Sequence, residues 1–242
     1  MLSTQEQTLQ QVVRKARAGR TTLPGKNADR GVDLAGAYQI QAATGRDRPL
    51  KGFKFGLISA AKQEQMGIST PLYGCIYADM IHSSPVALSD FIQPRLEPEI
   101  AIQLERDIAP NALPGDTQRA IGGFVLGIDI LDSIWANYKF TAPEVVADNT
   151  SGGGFVLGPT LFGSLPGGNL RLYLNGQFQT EGPVAALGDP VQKLQWLAGQ
   201  VGGLKAGQVI FLGSPAASIP AAAGTLELVD DAGHVLIVKL TG

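Results

Sequence analysis

The stretch "EPEIAIQLE", residues 97 to 105, sets Glu97 and Glu99 two apart at the head of an apolar alternation. Successive strand side chains point to opposite faces, so both carboxylates share one. Side by side they repel, and the repulsion calls for a compensating cation. A third acid, Asp129, interrupts the apolar run "GFVLGIDILDSI", with Asp132 close behind. The chain has one cysteine, Cys75, and two histidines, His82 and His234, neither in a metal-ligand spacing. That speaks against a zinc site or a Cys–His nucleophile. The glycine clusters of "GGFVLGIDI" and "SGGGFVLG" do not match a phosphate-cradling loop followed by a helix. Carboxylates, lysines and backbone remain, a donor set suited to a hard cation such as Mg²⁺. The ordinary alternative has Asp132 capping a turn and Asp129 in a salt bridge. Sequence pattern alone leaves both readings open.

The elements that must position these acids divide by texture. Residues 1 to about 46 read as helical: Ser3 with Glu6 forms a capping-box pattern, and Leu9, Val12, Val13 and Ala16 recur at helical spacing. "DLAGAYQIQAAT" reads as a second helix. From about Lys51 onward, short β-like runs alternate with Gly and Pro: "GFKFGLIS", "EIAIQLE", "GFVLGIDIL", "GGFVLGPTLF", "NLRLYLNG", "QVIFLGS" and "HVLIVKLTG". The 31 glycines and 15 prolines fit many tight turns between them. "DPVQKLQWLAGQVG" reads as one longer helix, with Pro190 in its first turn. The expected architecture is α+β, a helical N-terminal cap over residues 1–50 and a β-rich catalytic body over 51–242.

Bulk composition narrows the class. In 242 residues, charged side chains make up 17% and the hydrophobic set 44%, which fits a folded globular chain. The formal net charge of −2 leaves no electrostatic footprint for nucleic acid or an anionic membrane. No apolar run approaches the roughly 18 residues of a transmembrane span. The N-terminus lacks the pattern of a signal peptide, and a single cysteine suits a reducing compartment, so a cytoplasmic protein is expected.

Six blocks, "GFKFGLIS", "MGISTPLYGCIYADM", "LEPEIAIQL", "IDILDSIWANYKF", "VVADNTSGGGFVLG" and "LKAGQVIFLGS", stand in an order that resembles the 2-oxopentenoate hydratase and oxalocrotonate decarboxylase family. That family lies within the fumarylacetoacetate hydrolase superfamily, and the resemblance runs from about residue 35 to the C-terminus. It implies a fumarylacetoacetate-hydrolase-type roll and a role in meta-cleavage breakdown of aromatic compounds. It also implies Mg²⁺ or Mn²⁺ on an acidic triad. Glu97 and Glu99 match the paired glutamates of the family, Asp129 its third ligand, commonly glutamate there, and Lys54 in "GFKFG" its active-site lysine. Ser151, Gly152, Gly153 and Gly154 of "ADNTSGGG" are candidates for close substrate approach, with a plain tight loop as the alternative. The implied partner is a small 2-oxo acid. A homo-oligomer and association with the partner enzyme of the pathway are further expectations.

Departures from the family pattern bear on the reaction. Hydratases of the family carry an acid within the stretch matching "PLYG", where this chain has Leu72. Adding water to a double bond needs a group to activate that water. Losing CO₂ through a conjugated enone needs an electron sink at the 2-oxo end, and an apolar wall favours the less charged product. Leu72 therefore points to decarboxylation of a 2-oxo-3-enedioate, with 2-hydroxypenta-2,4-dienoate hydration as the alternative. Ile134 replaces an arginine common after "DS" in the family. An acylpyruvate-type C–C hydrolase and a non-catalytic keto-acid binder complete the readings.

Overall fold

The computed structural model describes residues 1–26 and 30–242; residues 27–29, inside the stretch read as the helical cap, lie outside the described residues. The chain opens with α1 (Thr4–Gly19) and α2 (Leu34–Gly45). The capping box of α1 forms: the Glu6 amide donates to Ser3 Oγ, and the Ser3 amide donates to Glu6 Oε2 at 2.6 Å. Asp33 caps α2 by accepting from the Gly36 amide at 2.8 Å. Then come β1 (Leu50–Gly56), the short α3 (Ala60–Gln65), β2 (Leu72–Tyr77) and β3 (Val86–Ala87). The central hairpin is β4 (Arg95–Leu104) and β5 (Ile121–Leu131), with α4 (Pro114–Ala120) between them. Next follow α5 (Ala142–Ala147), β6 (Gly152–Leu157), β7 (Asn169–Leu174), β8 (Gln177–Pro183) and α6 (Pro190–Val201). The chain closes with β9 (Val209–Phe211), β10 (Ile219–Pro220), β11 (Gly224–Asp230) and β12 (Val235–Thr241).

The strands form two sheets. The first has the order β2-β1-β9-β4-β5-β6, with β10 attached to β4. Its β1–β9 pair is parallel; its other pairs are antiparallel. The second has the order β3-β12-β11-β7-β8. The fold is thus α+β, as expected. The first sheet curls until its edges approach each other: His82, just beyond β2, donates its amide to the Phe155 carbonyl on β6 at 2.8 Å.

The curl gives β4 two different surroundings. Leu96, Ile100 and Ile102 face outward into the main core, with Leu126 and Ile128 of β5 and Leu170, Leu226 and Val238 of the second sheet. On the inner face, Ala101 joins a smaller cluster with Ile76, Phe155, Val209 and Phe211. Glu97 and Glu99 belong to that inner face by alternation. Gly127 opposes Glu99 across the β4–β5 pair, and a Cβ there would stand 2.5 Å from the Phe211 ring. Glycine is therefore what lets the inner face close on Phe211.

A third cluster joins the helical cap to the body. Leu9 and Val13 of α1 and Ala37 and Ile40 of α2 pack with Ile134, Trp135, Val145 and Val146. Arg17 of α1 reinforces the joint: it pairs with Asp132 at 2.9 Å and Asp148 at 2.7 Å, and donates to the Asp132 carbonyl. Asp132 also accepts from the Ile92 and Gln93 amides, so it organises turns rather than the site. Among the described residues no helix is long and apolar enough to cross a membrane. Removing Arg17 leaves Asp148 buried beside fewer donors. Arg17→Met is expected to cost about 3 kcal/mol or more in urea unfolding, and a loss within the error of the wild type would show that helix packing alone holds the joint.

Candidate metal centre

Glu97 sits directly opposite Asp129 in the β4–β5 register, and Glu99 one alternation further along. Ligand oxygens of the three lie within 4.8 Å of one another. Lys54 comes from β1, three strand positions from β5, which a flat sheet would hold roughly 14 Å away. The curl brings its Nζ to 2.5 Å from Asp129 Oδ2. Glu99 and Asp129 are fully buried and Lys54 is 1% exposed, while Glu97 faces an opening.

Three carboxylates and one ammonium in a largely buried site leave excess negative charge. Burial raises the carboxyls of Glu97, Glu99 and Asp129 above their ordinary range, and Lys54 offsets this only in part. Burial works against the Lys54 ammonium, yet Asp129, Glu97 and Glu99 together raise its pKa. Lys54 is thereby held as an ammonium beside the three acids. Glu99 Oε2 accepts from the Gly213 amide at 2.7 Å. The carbonyl on the other side of that peptide, Leu212, accepts from Lys193 of α6, whose own pKa burial lowers to about 8. Glu99 Oε1 and Asp129 Oδ1 have no donor at all. Buried carboxylate oxygens without donors, clustered and all hard, fit a divalent cation such as Mg²⁺ or Mn²⁺.

A cavity of about 1080 Å³ opens onto this group, lined by Lys54, Glu97, Arg95, Tyr138, Ser151 and Ser214 among others. Ser151 follows Asn149 and Thr150, all three in the left-handed region at φ 53°, 52° and 56°. Such backbone is unfavourable for side-chain-bearing residues, so something must hold it. Asn149 exchanges two 2.8 Å hydrogen bonds with the Cys75 backbone, and Thr150 Oγ1 donates to the Tyr73 carbonyl at 2.6 Å. This pinning presents a buried Ser151 hydroxyl that has no protein partner.

The structure brings Lys54, Glu97, Glu99, Asp129 and Ser151 together, but not Leu72, Gly152 or Gly153. Leu72 shares the inner face of β2, yet its side chain is 1% exposed in the cluster with Ile40, Ile134 and Val145. That corrects the expectation that it walls the substrate. Gly152 and Gly153 line a separate cavity of about 570 Å³ beside Arg17, Asp132 and His82. A Cβ on Gly153 would meet Asp132 Cβ at 2.5 Å and the Ile130 carbonyl at 2.7 Å, so close strand packing is what requires glycine. Sequence reasoning missed Arg95, Lys193 and Gly213. Arg95 carried a readable signal, because it extends the Glu97–Glu99 alternation by one step.

The family model described as fumarylacetoacetate (FAA) hydrolase C-terminal matches residues 61–241. The chain belongs to that family. Among relatives of this fumarylacetoacetate hydrolase family member, a 2-keto-4-pentenoate hydratase of Burkholderia vietnamiensis is 33% identical, over 92% of this chain and 93% of the relative. A 4-oxalocrotonate decarboxylase from a Pseudomonas species is also 33% identical, over 69% of each chain. The solved structure of 4-oxalocrotonate decarboxylase from Pseudomonas putida G7, complexed with magnesium and adipate, superposes with a TM-score of 0.89 at 26% identity. That match covers 100% of this chain and 99% of the other.

The raised carboxyls give the metal-free protein a characteristic pH response. Each has a folded pKa above its unfolded value, so folding takes up protons between the two. Metal-free stability therefore falls as pH rises from the ordinary carboxylate range near 4 through the raised values. A bound cation favours the ionised forms. The Tm gain given by Mg²⁺ is expected to grow from about pH 5 to about pH 8 and to be largely lost in Glu99→Gln. A gain that ignores both pH and that substitution would place the metal elsewhere.

Proposed function

We propose that the chain is a divalent-metal-dependent lyase acting on 2-oxo-enoic acids, and that its reaction is decarboxylation of a 2-oxo-3-enedioate. Mg²⁺ or Mn²⁺ would be held by Glu97, Glu99 and Asp129. When bound, it supplies Lewis acidity toward the 2-oxo end of the substrate. The bond to the distal carboxylate breaks, its electron pair passes through the conjugated chain to the 2-oxo oxygen, and a proton arriving there gives a 2-hydroxydienoate and CO₂. Lys54, kept protonated by its carboxylate neighbours, sets a positive donor beside the oxygen on which charge develops. Ser151 Oγ offers the substrate a buried partner.

The observation that carries decarboxylation is what the cavity wall lacks. Besides Glu97, its one carboxylate among the described residues is Asp33, engaged as the cap of α2, and no histidine lines it. His82 borders the other cavity and His234 pairs with Asp230 at 2.7 Å. Among the described lining residues, no acid outside the proposed metal set is free to activate water over a double bond. Hydration is the second reading. It is supported by the hydratase relative of equal identity and by the unpartnered Ser151 hydroxyl, which could hold a water.

Mg²⁺-dependent CO₂ release from a six-carbon 2-oxo-3-enedioate is the expected outcome, with little hydration of the 2-hydroxydienoate followed by its ultraviolet absorbance. Efficient hydration without CO₂ release would transfer the assignment to the hydratase reading. Lys54→Met is expected to lower kcat by about 10²–10³-fold, measured in saturating Mg²⁺ with Tm as the folding control. Near-normal turnover would remove Lys54 from the mechanism.

A further inference from the structure

Arg95 precedes Glu97 by two residues on β4, so its side chain leaves the same face as Glu97 and Glu99. It lines the cavity and is only half-buried, yet among the described residues it forms no ion pair. Of the other arginines, Arg17, Arg20, Arg30, Arg48, Arg106, Arg119 and Arg171 each meet a carboxylate, and Arg14 and Arg46 are exposed. Arg95 is instead clamped by neutral groups. Nε donates to Ser218 Oγ at 2.8 Å, Nη2 donates to the Ser218 carbonyl at 2.5 Å, and the guanidinium lies 6.0 Å from the centre of the Tyr138 ring. Nη1 has no acceptor among the described residues. A rigidly oriented guanidinium facing a cavity without its own carboxylate is a preorganised anion receptor.

Resting on the lyase reading, we infer that Arg95 selects the dicarboxylate form of the substrate by binding its distal carboxylate. One strand repeat separates Arg95 from Glu97, roughly 7 Å. That is comparable with the run of carbons between the 2-oxo group and the far carboxylate of a six-carbon enedioate. Leu131 stands opposite Arg95 in the β4–β5 register and lines the same cavity. Its apolar surface withholds further solvation from the carboxylate and suits the neutral CO₂ that replaces it. A monocarboxylic dienoate has nothing to offer Arg95.

The test compares adipate with hexanoate, equal in length and differing in one carboxylate, by calorimetric titration of the Mg²⁺-loaded protein. Wild type is expected to prefer adipate by about tenfold or more. Arg95→Met should bring the ratio near one by weakening adipate alone, and Arg95→Lys should restore part of it with an unchanged Tm. Lys26→Met, Lys62→Met and Lys139→Met control for the three exposed lysines of the cavity lining. A wild type that does not prefer adipate, a preference that survives Arg95→Met, or one abolished by any of these lysine substitutions alone would each overturn the assignment. Because binding is read here, absence of CO₂ release would overturn the decarboxylase reading without disturbing this ratio.

Discussion

The arrangement that the rest of the structure serves is a buried group of like charges. Glu97, Glu99 and Asp129 bring ligand oxygens within 4.8 Å of one another at the bottom of the cavity, opposed at contact distance by Lys54. Desolvation of each ion costs several kcal/mol, and one lysine cannot offset three carboxylates. The fold carries that penalty beside closely packed apolar clusters, from the Phe155–Phe211 pair inside the curl to the large cluster between the sheets. A site held in deficit of positive charge is a site poised for a cation, and the same burial that makes the apo state costly strengthens every interaction with a bound one.

Curvature is the structural expression of that constraint. With Lys54 on β1 and Asp129 on β5, their ion pair exists only if the sheet bends across β9 and β4. The shortness of β9, three residues, lets the chain leave the ladder after Phe211 and turn the Gly213 amide toward Glu99. Gly213 has φ 88°, a conformation that other residues rarely adopt, and a Cβ there would meet Ile58 at 2.7 Å. One peptide thus links Lys193 on α6 to the Glu99 carboxylate on β4. Register carries equal weight: a one-residue slip of β4 would turn Glu97 and Glu99 into the core and Ile100 and Ile102 into the cavity.

How far the sequence was readable follows from these same particulars. The acid pattern on β4 was legible because alternation in one strand is a local property. So were the capping box of α1 and the long helix α6, which show a full helical period. The six-residue α5 was not read, although Thr141 and Glu144 form a capping box, because so short a helix cannot display a period. β8 escaped because its residues are mostly polar and exposed. β6 was expected to run through Phe162 but ends at Leu157, where Gly158 and Pro159 interrupt the ladder. The Lys54–Asp129 pair was approached through family resemblance alone, since its geometry depends on curvature that no single segment encodes. Leu72 and the Gly152–Gly153 pair were misplaced for the converse reason. Their segments lie close to the site in sequence blocks, but the cap packed on β2 and the turn at Asp132 claim their faces.

The metal group therefore explains less about reaction choice than its conspicuousness suggests. Relatives named as a hydratase and as a decarboxylase match this chain at the same identity, so features shared with both say little about which reaction it performs. The chemical difference between the reactions lies about one substrate length away, where water must be activated or a carboxylate released. In this chain that region presents Arg95 fixed by Ser218, Leu131 beside it, and no uncommitted acid among the described lining residues. On the proposed assignment, the choice of substrate is made at this wall, two strand residues from Glu97, rather than at the acids that would hold the metal.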